Sequence, residues 1–234
     1  VTDANGNVAT CTSTVTVEDN VPPIAIAQTV TVYLDANGIA TVTPSMVDDG
    51  SNDACGISNL SLDSTNFDCY NVFIGGGDGS GGLTGMGSMT NGVTVTLTAT
   101  DNNGNSSTDQ ALVFVLDTVP PAAVCQNITV QLDASGNASI TPAMIDNGSN
   151  DACGIDTTII DINSFNCSNI GANTVTLSVT DPSGNISTCT ATVTVEDNIA
   201  PTAICQDITV QLDATGNVSI TAADVDNGSN DVCG

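Results

Sequence analysis

Residues 80 positions apart match repeatedly in the second half of this chain: Pro121 with Pro201, Cys125 with Cys205, Asp133 with Asp213 and Cys153 with Cys233. The nine residues that start at Cys125, CQNITVQLD, return from Cys205 as CQDITVQLD. A repeat of this length confines the chain to a tandem array of small domains, each with a modest core of its own. Four segments follow. Residues 1–21 are the C-terminal part of a truncated repeat, 22–119 and 120–199 are complete repeats, and 200–234 are the N-terminal part of another.

Inside the repeat 120–199, apolar and polar residues alternate. Ile128, Val130 and Leu132 share one face, Ala138 and Ile140 follow a turn, Val175, Leu177 and Val179 share another face, and Cys189, Ala191, Val193 and Val195 close the repeat. This period-two pattern describes antiparallel strands with one buried face. The Asn-, Asp- and Gly-rich stretches between them describe turns. The expected fold is all-β, a tandem of Ig-like β-sandwiches with about seven strands each. Cys11, Ser13, Val15 and Val17 alternate with Thr and Glu in the same way, so a strand is expected there too. Stretches such as residues 35–38 and 133–137 read as hairpin turns.

The repeat 22–119 aligns with its successor at an offset of 98 as far as Cys69, and at 80 from Val95 onward. It therefore carries an 18-residue insertion within 70–92. Glycines at 75–77, 79, 81, 82, 85 and 87 make the insertion a loop. The last strand of this repeat also differs, because its outward positions hold Leu112, Phe114 and Leu116 where the next repeat has Thr and Glu. With Tyr70 and Phe73 these residues form an expected interface, covered by the insertion or by a neighbouring chain.

Nine cysteines accompany no His, Lys or Arg. Without His or Cys-x-x-Cys spacing, zinc is disfavoured and disulfides in an oxidising compartment are expected. Ala27 occupies the position of Cys125, and Asp109 that of Cys189. Their joint loss pairs Cys125 with Cys189. Cys55 and Cys69, like Cys153 and Cys167, lie 14 residues apart, and each couple is expected to form a local bridge.

The 26 acidic residues and the missing cations give a formal net charge of -26. Carboxylate repulsion then has to be relieved by water, salt or metal. Ordinary nucleic-acid binding, which needs Lys and Arg, is excluded, and anionic membranes are disfavoured. No apolar run reaches the length of a membrane span. The chain begins at Val1 with no signal-peptide pattern and reads as a piece of something longer. Catalysis lacks a His or Lys base and an Arg for oxyanions, so no enzyme is expected.

Three turns share the pattern D-x-[NS]-G-N: Asp3, Asn5 and Asn7; Asp101, Asn103 and Asn105; Asp181, Ser183 and Asn185. Acidic linkers before proline follow them, with Glu18 and Asp19, then Asp117, then Glu196 and Asp197. Clustered carboxylate, amide and carbonyl oxygens suit a hard cation. If turn and linker share one pole of the sandwich, they close a calcium site at the domain junction. The same residues also serve any tight turn. The acidic sets at residues 48–53, 146–151 and 226–231 read chiefly as ordered loops beside cysteines, with calcium as the lesser alternative.

The ending TDPSGNISTCTATVTVED (180–197) before Pro201, the Asp-Ala-Cys-Gly at 151–154 and the Cys125 start together resemble the hyalin repeat, above all the acidic versions in large secreted proteins of Bacteroidota. The resemblance covers essentially the whole chain. It implies an Ig-like sandwich, an extracellular or cell-surface location, and a role in adhesion or surface fibres. The expected function is a structural stalk of a filament or adhesin, self-associating or bound to another surface protein. The alternative is a calcium-dependent glycan- or receptor-binding module that uses the Gly-rich loop 70–92.

Overall fold

The computed structural model describes residues 1–72 and 92–234. The chain divides into two compact units, Val1–Asp117 and Thr118–Gly234. Among the described residues no helix is long and apolar enough to cross a membrane.

The first unit contains β1 (Val30–Tyr33), β2 (Ile39–Thr41), the short helix α1 (Pro44–Val47), β3 (Ile57–Leu62), β4 (Asn66–Asp68), a 3₁₀ turn (Cys69–Asn71), β5 (Val93–Asp101) and β6 (Ser106–Leu116). β1, β6, β5 and β3 form one sheet in that order, and β2 pairs with β4 in a second. The second unit repeats this plan. It has β7 (Ile128–Gln131), β8 (Asn137–Ser139), α2 (Pro142–Ile145), β9 (Thr157–Ile160), β10 (Ser164–Asn166), a 3₁₀ turn (Cys167–Asn169), β11 (Gly171–Thr180), β12 (Ile186–Glu196) and a third helix, α3 (Ala222–Val225). Its sheets are β7-β12-β11-β9 and β8-β10. Both are Ig-like sandwiches, and the chain is all-β apart from single-turn helices.

Alternation decides which faces meet. In β11 and β12 the residues Val175, Leu177, Val179, Ala191, Val193 and Val195 point inward and are buried, while the Thr residues between them stay partly or fully exposed. Phe165 of β10 and Ile145 of α2 complete this core. The first unit buries the equivalent Val95, Leu97, Ala99, Ala111, Val113, Val115, Phe67 and Val47. Each fully buried aliphatic side chain contributes about 1.5–3 kcal/mol. The domain's first and last strands lie side by side and parallel, Val30 to Tyr33 against Val113 to Leu116 and Ile128 to Gln131 against Val193 to Glu196.

Several expectations change. Among the described residues each unit has six strands, with isolated bridges such as Ile24–Asn52 and Ala122–Asn150 extending the pairing. Residues 11–18 form no strand and are exposed. The turns at 35–38 and 133–137 do not close hairpins. They carry the chain from one sheet to the other, since β1 pairs with β6 while β2 pairs with β4. The short helices were not anticipated, although Thr43-Pro44 and Thr141-Pro142 supply an extended N-cap followed by Pro at the first helical position.

The insertion has a defined attachment. In the second unit β11 starts at Gly171, opposite Val195. In the first unit the equivalent place beside Val115 is taken by Val72, which pairs in parallel, and β5 begins only at Val93 opposite Val113. The extra residues therefore split the start of this strand. Phe73 and the rest of 73–91 lie outside the described residues.

Candidate functional site

Each sandwich has a leading pole, where the linker arrives, and a trailing pole, where its last strand ends. At the leading pole of the first unit three segments converge. The Asn105 Nδ2 donates to the carbonyl oxygens of Asp19 at 3.0 Å and Val21 at 3.5 Å, tying the β5–β6 turn to the linker. The Asn102 Nδ2 donates to the Cys55 carbonyl at 2.7 Å, tying the same turn to the Asp53-Ala-Cys55-Gly loop. Carboxylate oxygens of Asp19 and Asp53 and the Cys55 sulfur lie within 4.8 Å of one another. The second unit repeats the turn-to-linker contact, from Asn185 Nδ2 to the Val119 carbonyl at 3.5 Å.

The turns are built around their own aspartates. Asp101, 1% exposed, accepts the N–H groups of Asn103 and Asn105 on Oδ1 and the Asn105 amide on Oδ2, all at 2.8 Å. Asp181 accepts the Asn185 N–H and side-chain amide at 2.8 Å, and Asp3 does the same with Asn7. Burial acts to raise the Asp101 pKa, but the Asn105 amide and the N–H groups of the turn outweigh it and the carboxyl titrates below its usual range. Asp3 is lowered first by the Asn7 side chain and then by its N–H. A glycine at positive φ, Gly104 or Gly184, brings these donors round. Three donors on one carboxylate fill most of the lone-pair sites a cation would use. Asp3, Asp101 and Asp181 thus organise their turns.

The grouping of turn and linker takes a particular form. The turn meets the linker that arrives, not the one that leaves, because the 11-residue β6 and β12 separate residues 105 and 185 from Asp117, Glu196 and Asp197. At ~3.3 Å per residue this exceeds 30 Å. Asp117 is buried at the trailing end of β6. Glu196 accepts from Gln131 Nε2 at 2.7 Å, and Asp197 Oδ1 accepts the Ile199 N–H at 3.0 Å. Glu18 and Asn5 are exposed on residues without strand partners. Asp19 is a predicted linker acid placed against a turn, and its Oδ1 accepts the Val21 N–H at 3.0 Å. Its neighbour Asp53 belongs to a set that the sequence presents as an ordered loop beside a cysteine, with calcium as the lesser alternative. The Asp-x-Cys-Gly spacing held the missing signal, since Asp53 Oδ1 accepts the Cys55 N–H at 2.6 Å and aims that loop at the pole.

The cysteines separate by pole. Cys125 and Cys189 are bridged, with Cα atoms 5.8 Å apart. The Cys153–Cys167 expectation is overturned, for Cys167 bonds Cys233, 66 residues onward. The Cys55–Cys69 expectation fails as well, because Cys55 is free. The reason is geometric. Cys55 sits at the leading pole against Asn102. Cys69 stands on the 3₁₀ turn just before Val72, which pairs with Val115 at the trailing end of β6. Fourteen residues that run along β3 and β4 cannot also return to their start. In the unit without a terminal bridge, Asp109 replaces it with a hydrogen bond: its Oδ2 accepts the Ala27 N–H at 2.8 Å. That bond, with the Gln110 N–H, holds the Asp109 carboxyl below its usual range.

The expected interface is half formed within the unit. Leu112, Phe114 and Leu116 are half-buried, and Tyr70 is 72% exposed. Gly92, at φ +66°, packs so closely that an added Cβ would lie 3.2 Å from the Phe114 ring.

No family model matches the chain. Over 122 residues it is 34% identical to hyalin of Strongylocentrotus purpuratus, a match that spans 48% of this chain and 10% of that protein. Similar solved structures include the protocadherin gammaB4 extracellular domain (TM-score 0.34, 14% identity, 81% of this chain and 35% of that one). They also include human protocadherin-24 EC1-2 (TM-score 0.36, 13% identity, 77% of this chain and all of that one). Part of the chain is therefore hyalin-like in sequence. The relative is a sea-urchin protein and lends no support to a bacterial origin.

Proposed function

We propose that this chain is a stretch of an extracellular, adhesion-type repeat array whose role is structural, a stalk or filament segment. Residues 1–21, 22–119, 120–199 and 200–234 are read as its successive repeats. One observation carries the reading: the same Asn of the β5–β6 and β11–β12 turns reaches back to the arriving linker, Asn105 to Asp19 and Asn185 to Val119. In each unit the arriving linker is thereby held by the domain it leads into. Bridged cysteines suit an oxidising, extracellular setting, and the similarity to hyalin agrees with an adhesive surface role. Electron microscopy of the native protein is the test. Extended filaments or bundles are expected, and dispersed monomers at high concentration contradict the reading. Self-association would use the face of Leu112, Phe114 and Leu116 beside Tyr70.

Calcium belongs to this proposal at the leading pole. Asp19 and Asp53 each commit Oδ1 to a backbone N–H and bring carboxylate oxygens to one place. Hard oxygen ligands of this kind fit calcium better than a softer ion. Melting with added calcium and with EDTA should differ. Equal midpoints remove the structural ion.

A second reading, a glycan- or receptor-binding module, draws on the exposed Tyr70 next to the insertion and on the insertion's attachment between Val72 and Gly92. A ligand lost when residues 73–90 are deleted would favour it.

A further inference from the structure

The Asp-x-Cys-Gly turn presents its cysteine in one way three times. The N–H groups of Cys55, Cys153 and Cys233 donate to Oδ1 of Asp53, Asp151 and Asp231 at 2.6, 2.7 and 2.8 Å. Cys233 is bonded to Cys167, which stands on the 3₁₀ turn at the trailing pole of the preceding repeat. Cys153 is also disulfide-bonded. Cys55 alone of the three is a free, exposed thiol. The 3₁₀-turn cysteine of its own repeat, Cys69, is already bonded and lies at the opposite pole.

We propose that Cys55 is the receiving half of a junction staple, and that it takes a disulfide from the 3₁₀-turn cysteine of another repeat of this kind placed ahead of it, as Cys233 does from Cys167. The inference rests on the array reading and names the covalent contact that fixes one repeat to the next. The donor has a recognisable build. Asn166 caps the turn by accepting the Ser168 N–H, and Asn169 caps it in return. The Cys167 sulfur sits 3.9 Å from the Gly136 carbonyl oxygen, where only a glycine fits, since an added Cβ would meet that sulfur at 2.7 Å and Val232 Cγ1 at 2.8 Å. The second donor turn has the same form: Asp68 caps it, and the Cys69 sulfur lies 3.9 Å from the Gly38 carbonyl. Two structural features of the bonded pair, the donor turn and the Asp-held receiving cysteine, thus recur as modules, and Cys55 is a complete receiving module.

Closing the bond oxidises two thiols to one disulfide. Their two electrons and two protons pass to a small disulfide such as oxidised glutathione, which leaves as two thiols.

The test extends the full chain. By register Val1 corresponds to Val179, so a copy of residues 120–178 placed before Val1, with Cys153→Ser in the copy, completes a repeat with residues 1–21. After oxidation in glutathione buffer, alkylation and peptide mapping should find Cys11 and Cys55 both protected, with Cys55 linked to the copied Cys167. Cys11 protected with Cys55 still alkylated overturns the staple and leaves the array reading intact. As a second measurement, the full chain is oxidised with its Cys233→Ser variant, in which Cys167 is released. Intermolecular linkage of Cys167 to Cys55 should exceed linkage to Cys11 or Cys205 at least about tenfold. Equal capture by the three thiols overturns the proposal, whether or not the extended chain folds.

Discussion

Ala27 and Asp109 show how one pair of residues can replace a covalent bond with a polar one at the same place. The Ala27 N–H meets the Asp109 carboxylate where the following repeat joins Cys125 to Cys189. Restoring the cysteines tests this equivalence. The double variant Ala27→Cys, Asp109→Cys should form a bridge, and in the chain-entropy account a loop of that length contributes up to about 4 kcal/mol. A higher melting temperature that vanishes with dithiothreitol is expected, and persistent free thiols would contradict it. Acid provides a second test. In the folded chain, hydrogen bonds hold the Asp109, Asp101 and Asp35 carboxyls below the usual aspartate range. A depressed folded pKa adds stability that is present above the unfolded value and is lost as pH falls through the folded one. Melting followed by circular dichroism should weaken below about pH 4. The double variant should lose less than the parent, because its bridge does not titrate. Parallel losses would show that Asp109 contributes little.

At the scale of elements, Gly136 between β7 and β8 occupies a tight position. Its φ of +74° and the 2.7 Å approach of an added Cβ to Cys167 Sγ penalise any side chain twice. Gly184, at φ +87°, meets nothing within 4 Å. Gly184→Ala should cost only the backbone penalty of about 1–2 kcal/mol. Gly136→Ala should cost more and should open Cys167–Cys233 at a lower dithiothreitol concentration, as alkylation would reveal. Equal costs would mean that the bridge is free to shift. These elements also mark how far the sequence could be read. Strands β11 and β12, and their counterparts β5 and β6, were legible because long alternating runs such as Val175 to Val179 bury every second residue. β9 and β10 were not: Thr157–Ile160 does not alternate cleanly, and Ser164–Asn166 is too short to show a period. The cysteine partners misled for a physical reason. Cys153 and Cys233 are the same residue of successive repeats, so a 14-residue local loop and a bond to the next repeat leave the same spacing in the sequence. Only the poles, set by strand direction, tell them apart. The calcium set was half legible for a similar reason, since Asp19 and Asn105 meet across 86 residues while Asp117 lies a strand's length from that turn.

For the whole molecule, 26 carboxylates without a single Lys, Arg or His side chain make the charge one-sided. Self-repulsion is then opposed only by ions from solution. The melting temperature should rise from low-salt buffer to roughly physiological ionic strength, and a flat response would mean that the acids are too dispersed to matter. The two bridges of the second unit have another consequence, which concerns length under load. Their loops, Cys125 to Cys189 and Cys167 to Cys233, overlap. Pulled from its ends, the segment 118–234 passes tension through both bonds in series, from 125 across to 189, back along the chain to 167 and across to 233, a taut path of about 30 residues, roughly 100 Å, against roughly 400 Å for the open chain. Breaking either bond lengthens that path to about 50 residues, roughly 170 Å. Only the loss of both releases the remaining slack, so the segment limits its own extension twice over.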